Sequence, residues 1–411
     1  MMSDAFLNER TVVARHPEVR LFPARRYDLD WLRVFAFGIL IFYHVGMFYV
    51  TWDWHVKSRY ASHLVEPAMG LVNPWRLVLL FFISGVAVRF AIDKAVLRTF
   101  VPERLLRLFV PLAFGMAVIC MPQAYAELRF KGEIEPGFFA FYPEYLSFGD
   151  FSIIVPTWNH LWYVAYILVY TLIAAACLPL LRMADGRSAH LFAWLGRGRA
   201  WRVLLAPAIP FLIYRLTLDP LFPTTHILWG DWANIAHTLT IFVLGFIAAK
   251  NEDFWRAIDK ALPAAAGFSI VLGGTLLAAW LNQSAVRADP QMLSAVLTLR
   301  VFYAWAIIVA LLGLARRFAN RPSRTLTYLT AGVFPYYILH QTIIVVVAYW
   351  FTMHAAPLAI EATTIIGATV LGCALGYEVI RRVTVLRPLF GLPMRGKQPS
   401  RPPPLAEYVA R

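Results

Sequence analysis

Residues 27–49 read YDLDWLRVFAFGILIFYHVGMFY, and the fold depends on how that stretch is read. Charge is confined to its first two turns, and the remainder is apolar for long enough to cross a hydrocarbon core of ~30 Å, which takes about 20 residues. The first span is therefore expected at 31–50. Comparable runs lie at 73–92, 105–126, 157–181, 203–217, 232–249, 261–282, 296–315, 328–352 and 361–380. The chain reads as an all-α integral membrane protein, a bundle of about ten transmembrane helices. The fifth run carries Pro207, Pro210 and Arg215 and is expected to kink.

Composition agrees with this reading. The 411 residues are 60% hydrophobic and only 15% charged, with a mean hydropathy of +0.60, far more apolar than an ordinary soluble domain. A formal charge of +14 could suit a nucleic-acid partner, but the cations lie between the apolar runs. With the N-terminus inside, segments 1–30, 93–104, 182–202, 250–260, 316–327 and 381–411 hold 27 Lys and Arg against 5 in the outer loops. That is the asymmetry expected of cytoplasmic loops, so both termini are expected in the cytoplasm. The domain reading is a basic tail over 1–30, a membrane domain over 31–382 and a Pro-rich basic tail over 383–411. Cys120, Cys177 and Cys373 sit inside apolar runs without metal-ligand spacing, so neither a disulfide framework nor a metal site is expected. The first run lacks a small-residue cleavage site, which argues against a cleaved signal peptide. The acidic, aromatic outer loop 127–156 could serve as a lid or a platform for an acceptor.

Ionisable side chains inside spans are costly and are the first functional candidates. Asp30 and Arg33 are three residues apart. Arg33 and His44 are eleven apart, and eleven steps of ~100° return to within ~20° of the same face after a rise of ~16 Å. His44 thus lies at or just beyond the midplane, where an apolar setting favours the neutral imidazole that a general base needs. A core histidine bonded to a neighbouring helix is the other reading. Arg104 and Arg107 could clamp phosphates or simply anchor the third span on the positive side. His160, Asn159, Trp158 and Trp162 could bind a sugar at the outer end of the fourth span, or form part of an aromatic belt. His340 lies mid-span, as an active-site neighbour or an interhelical bond. Arg76, Arg215 and Arg300 are expected to snorkel to the outer interface rather than bind an anion. Ser84 lacks a nucleophile-elbow context, so Ser84 and Gly85 are expected to serve close helix packing.

In this order, RRYDLDWLRVFAFGILIFYH (25–44) with its Arg-x10-His spacing, FFISG (81–85), RLLR (104–107), NHLWYVAY (159–166), YYILHQTII (336–344) and LRPLFG (386–391) resemble the acyltransferase-3 family of polytopic membrane acyltransferases. The resemblance covers nearly the whole chain. It implies transfer of an acyl group from cytoplasmic acyl-CoA to a hydroxyl, often on a carbohydrate, at the outer side of the membrane. It also implies His44 as the catalytic histidine, Arg33 oriented by Asp30 on the donor side, and Arg104 and Arg107 on the CoA phosphates. His340 would neighbour His44. Acyl-CoA would be a donor substrate rather than a resident cofactor, with membrane lipid and a carbohydrate or glycolipid as the other partners, and neither metal nor nucleic acid would be needed.

The rival class is a secondary transporter or exporter of a polar or anionic molecule. Proton-coupled transporters usually carry acidic residues within their spans, and here Glu378 is the main one. A catalytically silent relative is the third possibility. Walker, GxGxxG and HExxH motifs are absent, which counts against ATPase, dinucleotide and zincin functions.

Overall fold

The structure, a computed structural model, describes residues 25–394. Most of the two expected tails, 1–24 and 395–411, lies outside the described residues. Every regular element among those described is helical.

Among the described residues, eight helices are long and apolar enough to cross a membrane. They are α1 (Tyr27–Tyr49), α2 (Glu66–Ile92), α3 (Leu97–Phe114) continued through a π-turn (Gly115–Ile119) into α4 (Met121–Lys131), α6 (Trp162–Ala176) with its leading 3-10 turn (Asn159–Leu161), α11 (Glu252–Leu281), α13 (Pro290–Phe318), α14 (Arg324–Met353) and α15 (Leu358–Arg382). The other two expected spans are different. α10 (Trp232–Ala248) is apolar but has only 17 residues. The fifth run is broken into α8 (Ala200–Leu205), a 3-10 turn (Ala206–Ala208) and α9 (Ile209–Thr217), the break falling where Pro207 and Pro210 cannot donate to the helix ladder. The 20-residue α7 (Leu178–Arg197) and the short helices α5 (Phe138–Leu146), α12 (Gln283–Ala288) and α16 (Leu386–Leu389) complete the described residues.

Local signals set several starts. Asn251 accepts from the Phe254 amide at 2.9 Å, Asp289 from Gln291 at 2.8 Å and Ser323 from Leu326 at 3.4 Å, each satisfying a backbone donor that the helix leaves free. At the end of α4, Gly132 takes φ +75°, and Glu133 donates back to the Leu128 carbonyl at 2.9 Å. That left-handed cap is open to glycine at no steric cost. Its position keeps Glu127 and Lys131 on the helix rather than in the loop.

In the bundle, α1 packs among α14, α13 and α2, while α10 pairs with α2, α11 with α13 and α14 with α15. The α2–α10 contact is backbone on backbone: a Cβ at Gly85 would stand 1.9 Å from the Phe242 carbonyl oxygen, and one at Gly245 would stand 2.2 Å from that of Phe82. Close packing is thus the role Gly85 performs, and the neighbouring Ser84 hydroxyl is hydrogen-bonded to Tyr163 at 2.6 Å. Large side chains such as Phe42, Ile270, Leu371 and Leu375 are exposed along the outer faces of their helices. In water such surface would be a liability, whereas in a bilayer it faces lipid.

The two ends differ in charge. At one end Asp93 pairs with Arg89 at 2.7 Å, Lys250 at 2.5 Å and Arg182 at 3.8 Å, joining three of the basic segments. At the other end, the loops after α1, α5 and α9 fold over a deep cavity.

Candidate functional site

The cavity has a volume of about 870 Å³. His44 of α1, Arg76 of α2 and Tyr337 and Gln341 of α14 contribute to its wall, as do Trp158, Asn159, His160 and Trp162. Ile153, Ile154 and Pro156, from the loop expected to act as a lid or a platform, the adjoining Thr157, and Thr224–Ile227 of a second loop close one side. That second loop is pinned by the buried Asp231, which accepts from the Thr225 amide at 2.9 Å, from Asn234 at 2.7 Å and from the Tyr166 hydroxyl at 2.5 Å.

Three of the histidines singled out in the sequence meet here. His44 Nδ1 lies 2.8 Å from His340 Nε2, with the rings stacked at 5.0 Å and 8°. His340 is fully buried, and its Nδ1 lies 2.6 Å from the Tyr337 carbonyl oxygen. A carbonyl only accepts, so the proton of His340 sits on Nδ1 and its Nε2 must accept. It follows that His44 donates through Nδ1, leaving a lone pair on Nε2, which carries no hydrogen bond among the described residues. A chain of two imidazoles ending on a backbone carbonyl thus selects the His44 tautomer that can take a proton from a molecule in the cavity.

His160 is held differently. Its Nε2 donates to the Ile338 carbonyl at 3.1 Å, and its own carbonyl accepts from the Tyr337 hydroxyl. The side chain that looked available for a sugar is thus bonded to α14. Asn159 has φ +39°, a conformation asparagine tolerates better than most residues, fixed by Thr157, whose Oγ1 accepts from the Asn159 amide at 3.1 Å and lies 3.0 Å from Oδ1. Trp162 lies against His226 at 4.2 Å with the rings tilted by 30°, and Trp158 Nε1 donates to the His226 carbonyl at 3.1 Å.

Six residues outside the expected set, His55, Gln123, Glu127, Lys131, Gln341 and Thr342, complete the wall or support it. His55 Nδ1 is hydrogen-bonded to Glu127, whose other oxygen accepts from Lys131 at 2.7 Å. Gln341 Nε2 reaches both His55 Nε2 and Gln123 Oε1 at 3.0 Å, and Asn159 donates to the same Gln123 oxygen at 3.0 Å. Gln123 in turn donates to Thr342 at 2.7 Å, and Thr342 to the Ile119 carbonyl at 2.7 Å. Ile119 belongs to the π-turn, a distortion that frees helix carbonyls and recurs at functional sites. Tyr145 and Tyr142 bond two more, on Met116 and Ala117, at 2.6 and 2.9 Å. A sequence signal for this network exists: Gln123 and Glu127 stand four apart on one helix face, and Gln341 follows His340 directly.

Arg76 does not snorkel. It is buried, with its guanidinium 3.6 Å from the centroid of the Tyr43 ring. Arg215 pairs with Asp219 at 3.2 Å, and Asp219 also accepts from His237 at 2.9 Å. Burial pushes the Asp219 carboxyl up, but the hydrogen bonds and charges of His237 and Arg215 outweigh it and hold the group below the usual carboxylate range. Glu378, the acidic residue noted in the last span, is paired with Arg381 and Arg382, each at 2.7 Å.

At the basic end, a second cavity of about 500 Å³ is lined by Arg25, Arg26, Asp30, Arg33 and Lys94 together with the apolar face of α2. Asp30 is hydrogen-bonded by Arg25 at 2.9 Å and lies 3.8 Å from Arg33. Arg33, Arg104 and Arg107 are close enough for their charges to interact, although Arg104 and Arg107 stand outside the wall of this cavity. The LRPLFG segment backs onto them: α16 packs on α3, and Phe390 meets Phe114 at 5.5 Å. Between the two cavities lies an aromatic layer in which Phe37 contacts Tyr337 at 5.2 Å and Tyr163 at 6.3 Å. Among the described residues no three His, Cys, Asp or Glu side chains converge as metal ligands would.

Comparison with known proteins agrees with the motifs. The family described as "Acyltransferase domain" matches residues 26–378. Glucans biosynthesis protein C of Salmonella paratyphi A (strain ATCC 9150 / SARB42) is 21% identical over 388 residues, covering 92% of this chain and 97% of the relative. The protein of the same name from Escherichia coli O139:H28 (strain E24377A / ETEC) is 22% identical over 337 residues, covering 81% and 86%. No solved structure matches the chain. With the helical membrane architecture, the ordered motifs and a family match running from the first helix into the last span, the chain belongs to the acyltransferase-3 family of polytopic membrane acyltransferases.

Proposed function

We propose that this acyltransferase moves an acyl group from cytoplasmic acyl-CoA, held at the basic end, to a hydroxyl of a carbohydrate or other envelope acceptor seated in the 870 Å³ cavity. The observation that carries the reading is the His44–His340–Tyr337 chain, because it leaves His44 Nε2 unprotonated and facing that cavity. Nε2 takes the proton of the acceptor hydroxyl as its oxygen attacks the thioester carbonyl. The C–S bond then breaks, the proton passes from the imidazolium to the leaving thiolate, and the products are an ester and CoA.

The basic end suits the donor. CoA carries phosphates, and arginine guanidiniums pair with phosphates in a forked geometry that a lysine does not reproduce. Arg33 in the cavity with Arg25, Arg26 and Lys94, and Arg104 and Arg107 beside it, form a field of cations; neither Arg104 nor Arg107 has a carboxylate within ion-pair distance among the described residues. The thioester has to approach His44 past Phe37, Tyr163 and Tyr337, so the pantetheine arm is the part of the donor that would thread this layer. Tyr163 connects the two sides: its ring lines the His44 cavity, while its hydroxyl lies within range of the Arg33 charge. Trp158 and Trp162 place aromatic side chains, of the kind on which sugar rings stack, in the wall of the acceptor side.

The test is binding of CoA and a short acyl-CoA panel to the purified protein, wild type beside Arg104→Ala/Arg107→Ala. Saturable binding weakened about a hundredfold or more by the double change, as the loss of two charge-assisted contacts of ~1.5–3 kcal/mol each would give, supports the donor site. Folded wild-type protein that binds no CoA sinks it and favours a transporter of a polar molecule.

A further inference from the structure

Among the described residues Arg76 is the one Arg or Lys of the cavity wall, and its surroundings do not neutralise it. Only 8% of the residue is exposed. Its Nη1 donates to the Asn73 carbonyl at 3.1 Å and to the Asn73 side chain. Its Nε is buried without a hydrogen-bond partner. No carboxylate lies within ion-pair distance of it among the described residues: Glu66, on the same helix, is taken by the Thr51 hydroxyl at 2.6 Å and by His63 at 3.0 Å.

A guanidinium removed from water without a counter-charge is expensive. The Tyr43 ring beneath it, at 3.6 Å, recovers part of that cost by cation–π attraction but supplies no counter-charge. Arg76 lines the same cavity as His44, and Tyr43 is the residue before His44 in the chain. A fork of N–H donors in a partly dry cavity matches a carboxylate or a phosphate.

We propose that Arg76 binds a carboxylate or phosphate carried by the molecule that occupies the His44 cavity, so that the enzyme favours an anionic acceptor, or an acyl group ending in a carboxylate, over its neutral counterpart. The inference rests on the acyltransferase reading of the same cavity. It assigns to Arg76 a role in specificity and leaves proton transfer to His44.

The experiment uses the full chain in detergent or nanodiscs and measures binding of two matched pairs, glucuronate against glucose for the acceptor and succinyl-CoA against acetyl-CoA for the acyl group, with CoA alone as reference. In wild type the anionic member of one pair binds about tenfold or more tighter than the neutral member, as one charge-assisted contact provides, and the pair that discriminates identifies which substrate carries the anion. Arg76→Gln abolishes the gap while leaving neutral ligands and CoA unchanged, and Arg76→Lys keeps part of it. Equal binding within both pairs by wild-type protein that binds CoA overturns the Arg76 proposal alone. A gap that survives in folded Arg76→Gln also overturns it. Wild-type protein that prefers glucuronate yet fails to bind CoA keeps the anion site and removes the donor reading. The wild-type comparison decides the matter even if Arg76→Gln does not fold.

Discussion

Replacing His340 with Phe tests the imidazole chain without opening a cavity. The ring stays in place against His44, at a stacking distance of 5.0 Å in the wild type, but the acceptor for the 2.8 Å bond from His44 Nδ1 is gone. The His44 tautomer with its proton on Nδ1 then loses its advantage over the one with the proton on Nε2, which cannot act as a base. Leaving a buried donor without its partner costs ~1–3 kcal/mol. At 1.36 kcal/mol per factor of ten, kcat should fall about 5- to 150-fold. The KM for acyl-CoA should not move, since the cations assigned to the donor lie at the other end of the bundle. Release of CoA thiol from acetyl-CoA, with water or a sugar as acceptor, gives the rate through a thiol-reactive dye. His340→Gln, whose amide oxygen can accept from His44, should recover part of the loss. A rate within twofold of wild type in folded His340→Phe, or a loss confined to KM, would refute the reasoning.

The same geometry makes further outcomes testable. Gly85→Ala places a methyl group 1.9 Å from the Phe242 carbonyl oxygen; since backbone cannot swing aside, α2 and α10 must separate, and thermal unfolding should show a loss of ~1–3 kcal/mol or more, whereas an unchanged melting temperature would remove the close-contact account. Asp219 has a folded-state pKa below its ordinary value, so its contribution to stability is complete above the ordinary carboxylate range and is lost as pH falls through the depressed value. Melting curves should accordingly show wild type losing more stability than Asp219→Asn on acidification, and parallel curves would contradict the pairing with His237 and Arg215. Glu127→Gln removes the negative partner of His55 and Lys131 and should destabilise the protein by ~3–5 kcal/mol if the pair is held as buried ion pairs are; a change below ~0.5 kcal/mol in chemical unfolding would show the pair to be solvated.

The features legible in the sequence and those hidden in it divide along physical lines. A run of about 20 apolar residues announces its environment locally, so each expected span is helical, and Pro207 and Pro210 marked the one that breaks. The Arg33–His44 spacing likewise depends on a single helix and its pitch. Contacts between helices left much less trace. Nothing near His55 in the chain indicates that it meets Glu127 and Gln341, 72 and 286 residues away. Glu127 looked like the first residue of a loop because composition marks where apolarity stops, whereas the helix runs on to Gly132. The depth of Arg76 in its span was readable, and snorkelling is the usual fate of an arginine there. That Tyr43 would cover it and bury it depends on how α1 crosses α2, which a single helix does not record. His160 shows the converse, since its place beside two tryptophans suggested a ligand contact while its ring is bonded to α14.

The most direct test of the account is single-turnover transfer of a radiolabelled acetyl group from acetyl-CoA, in membrane vesicles containing wild-type protein or His44→Ala, with both confirmed folded and CoA-binding. Loss of label from CoA in the wild type, reduced at least about 10²-fold in His44→Ala as expected on removing a general base, with CoA affinity unchanged, is the predicted result. Equal transfer by the two proteins would contradict the central role given to His44.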